Sequence, residues 1–127
     1  MRLLIKTLIL GSLLFTNLSE EQPHFISIKS EPPVINNWIN LKQTDSLKIK
    51  LETSNTSFIS FSIIPTGTNI DREYTNIGSL QGNEKNEWEF EWEPPKELNL
   101  HHHLLIKICN ENYSKCEVNT LNILKDE

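Results

Sequence analysis

The chain has 127 residues, of which 37% are hydrophobic and 23% charged. This length and composition suit one globular domain with a single core, and they exclude a disordered chain or a second domain of similar size. The formal net charge is −5. An acidic chain with scattered basic residues disfavours nucleic acid and anionic membrane surfaces as partners.

The first 19 residues have the composition of a secretory signal peptide. Arg2 and Lys6 precede an apolar run, and Glu20 and Glu21 follow it. The run is shorter than the ~20 residues that a membrane-spanning helix needs, although an uncleaved anchor is the alternative. Cleavage would remove two of the 12 basic residues and none of the 17 acidic ones, leaving a charge of −7. We therefore expect a secreted, periplasmic or cell-surface protein, with no membrane association after the signal is removed.

Short alternating segments follow this leader. They lie at 24–29, 46–53, 57–68, around Ile77, and at 87–93, 103–109 and 116–124, with turn residues between them. The segment 34–41, which contains Trp38, is ambiguous. A period of two and the lack of any sustained helical period predict an all-β chain, an antiparallel β-sandwich of about seven strands preceded by a signal helix. We divide the chain into a signal peptide at 1–19, an N-terminal segment with the first strand at 20–32, and the sandwich domain at 33–127.

The stretch EWEFEWEPP at 87–95 alternates acidic and aromatic residues. A strand with one buried and one wet face would direct Trp88, Phe90 and Trp92 into the core and the glutamates into solvent. Two prolines then end the strand. Glycoside hydrolysis needs two carboxylates on either side of a substrate, so glutamates that all point into solvent argue against such a pair.

Two cysteines, Cys109 and Cys116, flank a predicted hairpin tip at Asn112 and Tyr113 in the sequence ICNENYSKCEV. In an exported chain this spacing favours a disulfide across the hairpin. The strand alternation places Cys109 opposite the apolar face, so the disulfide is expected on the outer surface. A metal-binding pair is less well supported, because no further ligands stand at recognisable spacing.

Two other features are candidate binding sites. His101, His102 and His103 are adjacent, but neighbouring residues on a strand point to opposite faces, and no acidic or thiol ligand completes a site. We therefore predict no metal site there. Trp38 lies outside the clear strands and is a possible ligand contact.

The order of features from about residue 33 to 124 resembles the bacterial immunoglobulin-like domains of secreted and surface proteins. The resemblance is carried by ISFSIIPTGT, by Ile77–Gly78, and by WEFEWEPP, HHLLIKICNEN and VNTLNI. It implies an immunoglobulin-like sandwich and almost nothing about activity. The chain departs from the family pattern at residues 100–103, where a Gly-Thr-Tyr sequence is common, and at residues 110–112.

No phosphate-binding loop, nucleophile elbow or zinc-protease motif occurs. The sequence therefore predicts no enzyme and no cofactor, but a non-catalytic binding or adhesion module whose partner is an unknown protein or a surface polymer. One alternative is a carbohydrate-binding accessory module that acts through Trp38 or through other outward-facing tryptophans. Another is a structural or assembly subunit that pairs through an edge strand.

Overall fold

The computed structural model describes residues 22–41, 44–66, 74–82, 86–96 and 100–125. These residues form nine strands and no helix, and no membrane-spanning helix is found among them. The strands are β1 His24–Glu31, β2 Val34–Ile35, β3 Trp38–Asn40, β4 Leu47–Ser54, β5 Phe58–Pro65, β6 Thr75–Gln81, β7 Glu87–Trp92, β8 Leu100–Cys109 and β9 Cys116–Lys125. The predicted signal peptide lies outside the described residues.

The strands form two sheets that pack as a sandwich, which confirms the predicted fold class. One sheet has three strands in the order β1-β4-β7, and the other has six in the order β2-β3-β9-β8-β5-β6. All neighbouring pairs are antiparallel except β3 and β9, which are parallel. There are more strands than the seven expected, because the ambiguous segment 34–41 contributes two of them.

The core lies between the inner faces of the two sheets. Burial alternates strictly along β4, where Leu47, Ile49 and Leu51 face inward and the residues between them are exposed. The same alternation in β7 buries Trp88 to 5% exposure, while Phe90 and Trp92 pack against the core from its margin. The interpretation of EWEFEW as a half-buried strand is confirmed. The buried Trp88 Nε1 donates a hydrogen bond of 2.9 Å to Thr53 Oγ1, so its polar atom is satisfied.

The segment 34–41 is a tight hairpin. Asn36 and Asn37 both have positive φ, 51° and 70°, and Ile35 pairs with Trp38 across them. These values fit a type I′ turn, which needs a left-handed backbone at both central positions and therefore favours Asn or Gly. The Asn-Asn dipeptide is thus a turn signal in the sequence, and it resolves the ambiguous segment into two strands.

The cysteines form the predicted disulfide. Cys109 and Cys116 are directly paired residues of β8 and β9, with Cα atoms 4.1 Å apart. Cys109 is nonetheless only 3% exposed. It also pairs with Phe58 of β5, whose ring stacks on Tyr113 in the hairpin loop. Cys116 is half-buried, so the disulfide is buried at its β8 end and partly exposed at its β9 end.

Candidate functional site

The outer faces of the two sheets differ sharply in charge. The face of the three-stranded sheet carries eight exposed charged side chains: Lys29, Glu31, Lys48, Lys50, Glu52, Glu87, Glu89 and Glu91. On the outer face of the six-stranded sheet, Lys107 is the single Lys, Arg, Asp or Glu that the alternation of the described strands directs outward. We call this second surface the neutral face. Of the two solvent-facing sheet surfaces, the one with so little charge is the more unusual, and it is therefore the candidate site.

A continuous row of side chains crosses the neutral face. Strand register places Ile35, Trp38, Asn122, His103 and Ile64 directly beside one another on β2, β3, β9, β8 and β5. Ile64 is only 3% exposed, so the accessible part of the row lies on the four strands β2, β3, β9 and β8 and is about 14 Å long at about 4.8 Å per strand. Ile35 is 65% exposed and Trp38 is 37% exposed, so the β2–β3 end of the row presents apolar surface to solvent.

The position of Trp38 is set by the turn before it. The carbonyl oxygen of Asn37 accepts hydrogen bonds from the backbone N–H of Asn122, at 2.9 Å, and from its side-chain amide, at 3.2 Å. The indole then meets His101 edge-on, with ring centroids 5.5 Å apart and an interplanar angle of 64°. Trp38 is therefore held in place before any ligand arrives, which lowers the entropy cost of binding.

The hydrogen-bond network also orients His103. Its Nδ1 lies 2.8 Å from Asn122 Oδ1, and the Asn122 amide nitrogen already donates to Asn37. Asn122 Oδ1 must therefore accept, which assigns the proton of a neutral His103 to Nδ1. The other ring nitrogen, Nε2, is left as an acceptor on the neutral face.

The three adjacent histidines do not act as one group. His101 and His103 lie on the neutral face, where Thr66 Oγ1 makes a short hydrogen bond to Nδ1 of His101. His102 points inward, between its strand neighbours Ile123 and Pro65. The strand that holds the three histidines begins at Leu100, earlier than the predicted residue 103.

Acidification should destabilise the fold through His102. Burial lowers the pKa of this imidazole below its usual 6.5, and the charges of His101 and His103 lower it further. Its Nδ1 also accepts a 3.0 Å hydrogen bond from the His101 backbone, which protonation would remove. Because the pKa of His102 is lower in the folded protein, the unfolded chain takes up the proton first as pH falls. The stability that neutral His102 contributes is therefore complete above the pKa of the unfolded chain and is lost as pH falls through the pKa of the folded protein. The thermal unfolding temperature should fall between about pH 7.5 and about pH 5, and it should fall less in His102→Gln than in the wild-type protein. An equal fall in both proteins would contradict this prediction.

The tryptophans considered as sugar contacts from the sequence thus lie in different environments. Trp38 is exposed on the neutral face, whereas Trp88 is buried and Trp92 is half-buried against the core. Among the three tryptophans, Trp38 alone is placed to contact a ligand. Asn122, His101 and His103 join it through strand pairing across more than 60 residues of sequence, which no local pattern could reveal.

No protein-family model matches this chain, and no curated protein is similar to it. Solved structures do share its fold. A polysaccharide monooxygenase CBM33 matches with a TM-score of 0.54 and 13% identity over 68% of this chain and 58% of that one. The catalytic domain of an LPMO from Listeria monocytogenes matches with a TM-score of 0.51 and 9% identity, over 71% of this chain and 59% of that domain. The chain thus spans less than two thirds of either protein.

A superoxide reductase (neelaredoxin) from Ignicoccus hospitalis is also similar, with a TM-score of 0.54 and 9% identity over 87% of this chain and 85% of that one. Identities this low show a common fold and nothing finer. The matches support an all-β sandwich but not the immunoglobulin-like family that the sequence resembles.

The prediction of a non-catalytic binding or adhesion module that is not an enzyme is contradicted by these matches. The similar structures are a polysaccharide monooxygenase, a catalytic domain and a superoxide reductase. The error lay in treating a sandwich without a familiar motif as evidence against catalysis, since folds host functions through sites and do not determine them. The carbohydrate-binding alternative agrees better with the matches.

Redox enzymes commonly use a bound metal ion or cofactor, and the described residues do not fit a metal site. In the described part of the chain, no three His, Cys, Asp or Glu side chains are arranged so that they could hold a metal ion. His24 contacts Glu117, the partner of Ile108, and Ile108 lies seven residues along β8 from His101. At about 3.3 Å per residue, His24 is therefore about 23 Å from His101 and about 17 Å from His103, the histidine of the three that lies nearest to it.

Proposed function

We propose that this protein binds a neutral polysaccharide through the neutral face, with Trp38 as its main contact. The observation that carries the proposal is an exposed, preorganised tryptophan in a row of uncharged side chains that is accessible across four strands. The fold shared with polysaccharide monooxygenase domains supports it. The disulfide is typical of proteins in oxidising compartments, which agrees with export to where such polymers occur.

The chemistry of the face suits a sugar chain. The C–H faces of sugar rings are apolar and pack against aromatic rings, while their hydroxyl groups both donate and accept hydrogen bonds. Beside Trp38, the neutral face supplies Nε2 of His103 as an acceptor, and Thr120 adds a hydroxyl on the neighbouring strand. A sheet face is also extended in two directions, so it can follow a chain over several sugar residues.

The charge distribution favours a neutral polymer over an acidic one. The opposite face concentrates the charged residues, and the whole chain is acidic. Polyanions would be repelled at long range by this net charge. A neutral polymer would desolvate almost no charged side chain of the protein on binding to the neutral face, which keeps the cost of association low.

The proposal predicts that Trp38→Ala abolishes most binding. Pull-down on insoluble cellulose, chitin, mannan and xylan should show retention of the wild-type protein by at least one polymer. Truncating a central aromatic contact typically costs ~2 kcal/mol or more, so affinity should fall by about 30-fold. Trp38→Phe should retain part of the affinity, because a smaller aromatic ring remains.

Ile26→Ala is the matched control. Ile26 is also a large exposed apolar residue, at 57%, but it lies on β1 of the other sheet. Its replacement should leave retention unchanged. If no polymer retains the wild-type protein, or if Trp38→Ala and Ile26→Ala are retained equally with the wild type, the proposed function is wrong.

A further inference from the structure

We propose that the cleft beside Tyr113 is a second sugar-binding subsite of the neutral face, so that the ligand is an extended chain reaching from Trp38 to Tyr113. This inference rests on the proposed function. It adds a site that lies at the opposite end of the strands from Trp38, and it sets a minimum length for the ligand.

The cleft has a volume of 240 Å³ and opens between β5, β6 and the β8–β9 hairpin. Phe58 and Tyr113 form its aromatic side. Pockets for whole drug-sized ligands usually measure ~300–1,000 Å³. The cleft is therefore of a size for one ring-shaped group of a larger ligand and not for the whole ligand.

Tyr113 is built as a platform. Its ring stacks on Phe58 with centroids 4.3 Å apart and an interplanar angle of 21°, yet it is 61% exposed. One face of the ring is thus occupied by Phe58, and the rest remains accessible to a ligand. Exposed aromatic rings with this support lose little side-chain entropy when a ligand stacks on them.

The hairpin loop holds Tyr113 in place. The backbone of Tyr113 is in the left-handed region, with φ of 60°, and its N–H donates to Asn110 O at 3.2 Å. Asn110 also closes the loop through two hydrogen bonds with the backbone N–H of Lys115 and with Ser114 Oγ, and the disulfide joins the strands directly below. A left-handed backbone at a non-glycine residue is uncommon and is kept here by these surrounding contacts.

Polar groups line the other sides of the cleft. Ser60, Ser79, Gln81 and Lys107 all point outward from β5, β6 and β8 around it. None of these four side chains makes a hydrogen bond or ion pair with another residue that the structure describes. They offer hydroxyl, amide and ammonium groups, which together can donate to and accept from sugar hydroxyls. An aromatic platform beside solvent-accessible polar groups is the combination that a sugar ring requires.

The two contacts lie on one surface at a distance that a chain can span. Cys109 is six residues along β8 from His103, which shares the row of Trp38, and three strand spacings separate β3 from β5. At about 3.3 Å per residue and about 4.8 Å per strand, the diagonal is about 25 Å. A ligand that uses both contacts must be several sugar residues long, and its affinity must rise steeply once it reaches the second contact.

Calorimetry with oligosaccharides tests this. The probes are cello-, chito-, manno- and xylo-oligosaccharides from the disaccharide to the octasaccharide, taken from the polymer class that retains the wild-type protein. Wild-type affinity should increase at least tenfold between the short and the long members. Tyr113→Ala should remove this increase while leaving the affinity for the short members unchanged, and Tyr113→Phe should preserve it. Lys107→Ala, which leaves the hairpin intact, should weaken only the long members.

The outcomes separate this inference from the proposed function. If Trp38→Ala weakens all chain lengths but Tyr113→Ala and Lys107→Ala change none, the second subsite is wrong and the proposed function stands. If affinity does not depend on chain length in the wild-type protein, the second subsite is also wrong. If the wild-type protein binds no member and no polymer, both are overturned.

Discussion

Replacing Gly78 with alanine is expected to destabilise the domain by about 1–3 kcal/mol, the usual range for overpacking a core. A Cβ at this position would fall 2.7 Å from Cζ of Phe90, closer than real carbon atoms approach. Phe90 cannot easily retreat, because its ring stacks on the fully buried Phe61 with centroids 3.9 Å apart and planes 5° from parallel. Urea unfolding monitored by circular dichroism measures the loss.

The sign of this effect is informative. Glycine in a strand interior is normally less favourable than alanine by roughly 0.5–1 kcal/mol, so without a clash the substitution would stabilise the protein. A double-mutant cycle with Phe90→Ala separates the two effects. Once the Phe90 ring is removed, Gly78→Ala should become neutral or stabilising, with a coupling energy above about 1 kcal/mol. Additive effects of the two substitutions would show that Gly78 is not kept small by Phe90.

Much of the sandwich could be predicted because strands alternate with a period of two. Leu47, Ile49 and Leu51 alternate with Lys48, Lys50 and Glu52, so both the strand and its buried face follow from the sequence. The hairpin at 34–41 was harder. Its strands have two and three residues, too few for alternation to be visible, and only the Asn36–Asn37 turn signal marks it.

The candidate site was less predictable than the fold, for a physical reason. The parallel pairing of β3 with β9 decides on which face of the sheet Trp38 lies, and that pairing joins residues 38 and 122. The neutral face likewise arises only when strands from both ends of the chain come together. Whether the domain is an enzyme did not follow from the pattern of strands, because a sandwich serves binding and catalysis equally well.

Replacing both cysteines, as Cys109→Ala with Cys116→Ala, should lower the free energy of unfolding by about 2–3 kcal/mol. The disulfide closes a loop of about eight residues, for which the chain-entropy relation gives about 2.5 kcal/mol. The sheet should persist, since β8 and β9 remain paired along ten residues each. Thermal unfolding of the wild-type protein in reductant provides the control, and it should show a similar loss, while the double variant should be insensitive to reductant.

The same variant connects stability to binding. The disulfide lies directly beneath the loop that presents Tyr113, and Cys109 itself lines the cleft. Opening the hairpin end should therefore free the Tyr113 ring from its stack on Phe58 and raise the entropy cost of ordering it on a ligand. Trp38 lies about 25 Å from the cleft. It is held by Asn37 and Asn122, which the disulfide does not contact. The double variant should thus keep its affinity for short oligosaccharides and lose part of the gain with chain length. Equal weakening at all chain lengths would mean that the disulfide supports the whole neutral face and not the cleft in particular.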